Sequence, residues 1–170
     1  MTRIIALIDG VELYATSKAL GIDVDYKRLL YWLREEGTFV RAYYFTLLED
    51  SAEYSGIRPL VDWLEYNGYT MVTKPPKRRE DGIRKNSMHV EFAVLAMELG
   101  QSCDHLFLFT GDGEYASLVE ALKRQGKRVT VVSTITTRPP MVSDALRRAA
   151  DEFIDLQSMV GQFAREPVKR

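Results

Sequence analysis

Short apolar runs alternate with amphipathic stretches along the chain, and the alternation sets the architecture. Ile4-Ile5-Ala6-Leu7-Ile8 is apolar at every position, the pattern of a strand covered on both faces. "VELYATSKALG" predicts a short helix stopped by Gly21. "DYKRLLYWLREEG" predicts a stronger one, with Leu29, Leu30 and Leu33 as its apolar stripe and Gly37 as its stop. The β-branched and aromatic "TFVRAYYFTLL" reads as a strand, "SGIRPLVDWLEYNG" as a helix and "YTMVTK" as a strand. The order then repeats: helix "MHVEFAVLAMELG", buried strand "HLFLFT", helix "EYASLVEALKRQG", strand "RVTVVS" and helix "SDALRRAAD". "EFIDL" suits a short edge strand. Repeated βα units with continuously apolar strands imply an α/β fold, a parallel sheet with helices on both faces.

Composition narrows the class. With 170 residues, 46% hydrophobic and 28% charged, the chain suits one globular domain, expected over residues 1–160, with a flexible tail from 161 to 170. The net charge of -1 gives no global attraction to nucleic acid, although charge can still be segregated locally. "MTRIIALID" turns polar too early for a signal peptide, and no apolar run reaches the length of a membrane span, so a cytoplasmic protein is expected. The single Cys103 cannot form an intrachain disulfide and reads as an inert thiol.

Chemistry concentrates where strands end. In open parallel sheets, ligands bind beyond the C-terminal strand ends, where strand order reverses. The first strand ends in Asp9-Gly10, with Glu12 close behind. "HLFLFTGDGEYASL" repeats the design: a buried strand, a glycine turn, then Asp112 and Glu114. If the two strands are neighbours, Asp9 and Asp112 face each other, and carboxylates held together repel unless protonated or bridged by a cation. Hard oxygen donors suit Mg²⁺ or Mn²⁺ and would support phosphoryl chemistry. The plainer reading makes each acid a helix cap, and it is the stronger one for either acid alone. "GDGE" lacks the spacing of both the dinucleotide and the P-loop fingerprints.

Three further features bear on function. His89 and Glu91 open the helix "MHVEFAVLAMELG"; His89 suits either a metal ligand or general base, or a structural role. "KPPKRREDGIRK", residues 74–85, carries six basic residues: Lys74, Lys77, Arg78, Arg79, Arg84 and Lys85. It reads as a loop or hairpin that would contact phosphates, or else as a solvated charged loop. Ser133, Thr134, Thr136 and Thr137 follow what reads as the last parallel strand, at the same sheet edge, where they would bond a phosphate or satisfy a turn; Arg138 adds a charge there.

In order and spacing, "ALIDGVELYATSKALG", "LFTGDGEYASLVEALKRQGKRVTVVS" and "ADEFIDL" resemble the NYN domain family, in the LabA-like branch of the PIN-like nucleases. "SGIRPLVDWLEYNGY" and "STITTRPPMVSDALRRAAD" look like its bacterial subgroup. The resemblance covers nearly the whole chain. It implies a three-layer α/β/α PIN-like fold with sheet order 3-2-1-4-5. It also implies a Mg²⁺- or Mn²⁺-dependent ribonuclease acting on RNA, with its acids at the C-terminal sheet edge. Asp9 and Asp112 match the family pattern, Glu114 is a longer equivalent, and Glu91 looks retained. Glu12 stands where the family has Asn. His89 and Leu95 stand where it has acids, which argues against a full two-metal arrangement.

Two functions follow. In one, the chain is an enzyme: Asp9, Asp112 and Glu114 hold an ion, Glu12 and Glu91 complete the shell, and the basic segment, with Ser133 and Arg138, binds RNA. In the other, the chain has lost catalysis and binds RNA or a protein partner. A homodimer is compatible with either: Trp63 and Tyr66 would suit a dimer face, although Trp63 is expected to pack in the core.

Overall fold

The uniformly apolar runs form the centre of a six-stranded parallel sheet. The computed structural model describes residues 2–49, 56–78, 84–85 and 87–165. The strands are β1 (Arg3–Asp9), β2 (Thr38–Leu47), β3 (Tyr69–Lys74), β4 (His105–Phe109), β5 (Arg128–Ser133) and β6 (Glu152–Asp155). Across the sheet they run 3-2-1-4-5-6, every neighbouring pair parallel. The expected order is therefore present, extended by β6, the short strand read from "EFIDL".

Because strand side chains alternate in direction, β1 feeds two cores. Ile4, Ala6 and Ile8 meet Leu13 of α1 (Gly10–Leu20), Leu29, Leu30 and Leu33 of α2 (Tyr26–Glu35), and Leu64 of α3 (Arg58–Tyr66). Ile5 and Leu7 belong to the opposite core, with Phe92 of α4 (His89–Gly100), Val119 and Leu122 of α5 (Ala116–Arg124), and Leu146 of α6 (Asp144–Ala149). This is the three-layer α/β/α arrangement. Truncating one such buried leucine to alanine typically costs about 2–5 kcal/mol.

Three local features refine the sequence reading. Residues 161–165, assigned there to a flexible tail, are packed. They include the last three residues of α7 (Val160–Phe163), whose buried Phe163 ring meets Trp32 edge-on at 5.0 Å. Arg28 Nη2 donates to the Gly161 carbonyl at 2.6 Å, and the Arg165 amide to that of Asp23 at 2.8 Å. The rest of the expected tail, 166–170, lies outside the described residues. Second, the basic segment contains a two-residue antiparallel ribbon, Lys77–Arg78 against Arg84–Lys85. Third, Cys103 is buried, and burial pushes its thiol pKa up, consistent with an inert thiol. Among the described residues no helix is long and apolar enough to cross a membrane.

Candidate acidic site

β1 and β4 are adjacent, paired from Ile4 with His105 to Ile8 with Phe109, so their C-terminal ends open on the same sheet edge. Strand order reverses there: β1 leads outward to β2, and the chain returns to β4 on the other side. At this edge a cavity of about 530 Å³ is lined by Asp9, Val11, Glu12, Ser87, His89, Asp112 and Tyr115, with Phe45 and Phe92 among its apolar walls.

Each strand end is shaped by a glycine, and here the glycines serve packing. A Cβ on Gly10 would overlap the Tyr44 ring and lie 2.7 Å from the Phe45 carbonyl oxygen. On Gly111 it would overlap the Met141 carbonyl oxygen and lie 2.8 Å from Ser133 Oγ. The acids do act as caps. Asp9 Oδ1 accepts from the Glu12 amide at 3.3 Å, and Asp112 Oδ1 from the Glu114 amide at 3.0 Å. Each cap uses one oxygen and leaves the other directed elsewhere. Asp9 Oδ2 receives only a long bond from Thr110 Oγ1, 3.4 Å, and Glu12 Oε1 accepts from the Gly111 amide at 3.3 Å.

The electrostatics follow from crowding. Burial raises the Asp9 pKa and Asp112 pushes in the same direction, against hydrogen bonds from Glu12 and Thr110. Burial also raises Glu12, and Asp9 and Asp112 add to it. The buried Tyr115 hydroxyl is raised by desolvation and by all four nearby acids, Asp9, Asp112, Glu114 and Glu12.

His89 enters this cluster directly, a contact the sequence did not disclose. Its Nε2 lies 2.6 Å from Asp112 Oδ2, and its Nδ1 lies 2.6 Å from Ser87 Oγ and 3.2 Å from Glu114 Oε2. Tyr115 meets the imidazole edge-on at 5.3 Å. One nitrogen or oxygen from each of His89, Asp112 and Glu114 falls within a 4.8 Å group, a spacing that a metal ion can bridge. Ser87, Thr110 and Tyr115 carried no sequence signal: Thr110 reaches Asp9 across the sheet, Tyr115 sits among the acids through packing, and Ser87 joins the cluster by way of His89.

Other expected site residues are placed differently. Glu91 is not part of the cavity lining; its Oε1 takes a 2.8 Å ion pair from Lys74 Nζ, which holds its pKa below the usual carboxylate value. Lys74 is therefore matched by an internal acid. Ser133 is buried, 4% exposed, with its Oγ lacking a hydrogen-bond partner among the described residues, so it cannot face a phosphate. Thr134 and Thr136 bond Asp155 at 2.7 and 3.2 Å, which satisfies a turn as one of the two sequence readings had it. Lys77 and Arg138 are exposed. Arg78, Arg84 and Lys85 are placed by backbone alone, in the ribbon, and Arg79 lies outside the described residues. Leu95 packs on the second core, as an apolar side chain must. Trp63 is 37% exposed and Tyr66 88%, so neither is a core residue.

Comparison with known proteins places these features in context. Residues 3–157 match the NYN domain. The chain is 30% identical over 166 residues to the low amplitude and bright protein LabA of Synechococcus elongatus, covering 93% of this chain and 86% of that protein. A crystal structure of a protein of unknown function from Vibrio parahaemolyticus superposes with a TM-score of 0.78 at 26% identity, over 91% of this chain and 93% of the other.

Proposed function

The chain belongs to the NYN domain family, in its LabA-like, PIN-like branch, and from that premise we propose that it is a metal-dependent ribonuclease acting at the acidic cavity. The observation that carries the proposal is the convergence of Asp9, Glu12 and Asp112 on one cavity between adjacent parallel strands, with Asp9 raised by burial and Asp112, and Glu12 by burial, Asp9 and Asp112. A divalent cation offsets both costs. The grouped donors fit one ion held by Asp112 and Glu114 with His89, and Asp9 and Glu12 line the same cavity and would complete its shell. The His89 imidazole beside them suits Mn²⁺ better than Mg²⁺, which strongly prefers oxygen. When bound, such an ion polarises a phosphate oxygen and lowers the pKa of a water. Phe45, Phe92 and Tyr115 wall the cavity, and the exposed Lys77, at the start of the ribbon, supplies a cation for the RNA backbone. In this reading Glu91 orders Lys74 rather than meeting substrate.

A second reading draws on one contact. His89 already bridges Asp112 and Glu114, as a cation would, and this favours a module that binds RNA without cleaving it. Cleavage of a single-stranded RNA with Mn²⁺ or Mg²⁺ separates the two. The enzyme reading expects metal-dependent cleavage that falls at least about 100-fold in Asp112→Asn. RNA binding with no cleavage under either metal would leave the binding module. Absence of both binding and cleavage would remove RNA from the account and leave a protein partner.

A further inference from the structure

A second groove, of about 450 Å³, lies on the α1 side of the molecule, lined by Tyr14, Lys18, Leu60, Trp63 and Arg165. Its position along α1 connects it to the acidic site. Val11, Tyr14 and Lys18 fall at i, i+3 and i+7, one face of the helix. Val11 lines the acidic cavity, while Tyr14 and Lys18 line the groove. Val11 and Tyr14 are 58% and 64% exposed, large apolar surface that folding leaves in water. The face rises about 10 Å from Val11 to Lys18, the span of about three stacked nucleotides.

We propose that this groove holds the single-stranded RNA that leads into the acidic cavity, with bases stacked on Tyr14 and Trp63 and phosphates met by Lys18 and Arg165. The inference rests on the RNA reading of the site above. Aromatic rings interleaved with cations are the chemistry of sequence-tolerant single-strand binding. Lys18 Nζ already lies 5.8 Å from the Tyr14 ring centroid, so cation and ring form one surface. Asp23, the acid of the groove, sits 3.8 Å from Arg165, and both are mostly exposed, so the pair is weakly held and Arg165 is free to exchange it for a phosphate. A duplex keeps its base faces inside its own stack, so stacking on these rings selects single strands.

Tryptophan fluorescence tests this directly. Of the two tryptophans, Trp32 is 8% exposed and packed in the core, whereas Trp63 opens on the groove. A ten-nucleotide single-stranded RNA, titrated in EDTA to prevent metal-dependent cleavage, is expected to quench the emission, and Trp63→Phe to abolish the quenching. Tyr14→Ala and Trp63→Ala are each expected to weaken Kd for the single strand roughly 5- to 150-fold, the range for one lost base stack. Both sites are exposed, so the variants fold. Single-strand binding at full strength in both variants would overturn the groove's role while leaving the RNA reading intact. Absence of RNA binding in the wild type would overturn both. A concentration-dependent dimer that dissociates in Trp63→Ala, with RNA affinity unchanged, would reassign the groove to a second copy of this chain.

Discussion

Asp9 and Asp155 occupy equivalent places: each ends a parallel strand, and each caps the turn of helix that follows. Their surroundings are opposite. Asp155 is saturated with donors: Thr134 Oγ1 at 2.7 Å, the Gln157 amide at 2.9 Å, the Ile135 amide at 3.1 Å and Thr136 Oγ1 at 3.2 Å. Burial pushes its pKa up, but these hydrogen bonds outweigh burial and hold it below the usual carboxylate value. Asp9 has two long bonds, at 3.3 and 3.4 Å, and two acidic neighbours, and its pKa is raised. The same strand-end aspartate is thus a structural clasp where donors surround it and a candidate ligand where acids do. The supply of donors, not the position in the βα unit, separates the two roles.

The contrast breaks most visibly at Asp155. Asp155→Ala leaves two threonine hydroxyls and two amides without their acceptor, and a loss of about 2 kcal/mol is expected, or a Tm lower by about 4–8 °C. Thermal unfolding with RNA cleavage assayed below the transition checks it, since the acidic cavity is untouched. Because the folded Asp155 pKa is lowered, its contribution is present above the ordinary carboxylate value and is lost as pH falls through the folded one.

A smaller effect sharpens the other side. His89→Asp introduces the acid that the family resemblance implies at this position and removes the imidazole bridge to Asp112. The ratio of Mg²⁺- to Mn²⁺-supported cleavage is expected to rise roughly tenfold. An unchanged ratio would show that His89 does not govern metal choice.

The subtlest effect is at Asp9. Its folded pKa is raised, so the stability it contributes is full below the ordinary value of 3.8 and is lost as pH rises through the folded pKa. At pH 7 the wild type therefore carries the whole cost of the buried charge. Asp9→Asn, which keeps an acceptor for the Glu12 amide, is expected to melt above the wild type at pH 7. The two should converge near pH 4 while cleavage is lost. Calorimetry at both pH values reads the sign, and a lower Tm at pH 7 would place Asp9 with Asp155.

Much of this was legible in the sequence. Five apolar residues in a row from Ile4 announced a strand buried on both faces, and the repeated carboxylate–glycine ending marked the sheet edge that β1 and β4 share. What escaped depends on distances across the chain. Hydroxyls at Thr134 and Thr136 look alike whether they await a phosphate or an internal acid, and their acid is about 20 residues away, in β6. The Lys74–Glu91 pair joins β3 to α4, and the His89–Asp112 contact joins α4 to the end of β4; each requires the packed arrangement to be seen. α7 is only four residues long and too short to show a helical period.

β1 is hydrogen-bonded along its length to β2 on one side and β4 on the other, and its five central residues are at most 1% exposed. Such a strand opens only when the whole molecule opens, so Asp9 is anchored to the last element to exchange its amides. The surfaces flanking it are built differently: Tyr14, Trp63 and Lys77 project from the outside of helices and from a two-residue ribbon. Substitutions there leave the sheet's cohesion alone. Under the proposed function, the molecule divides its labour between an immobile acidic site and a replaceable approach to it, and the range of strands it accepts is free to drift while the acids keep their geometry.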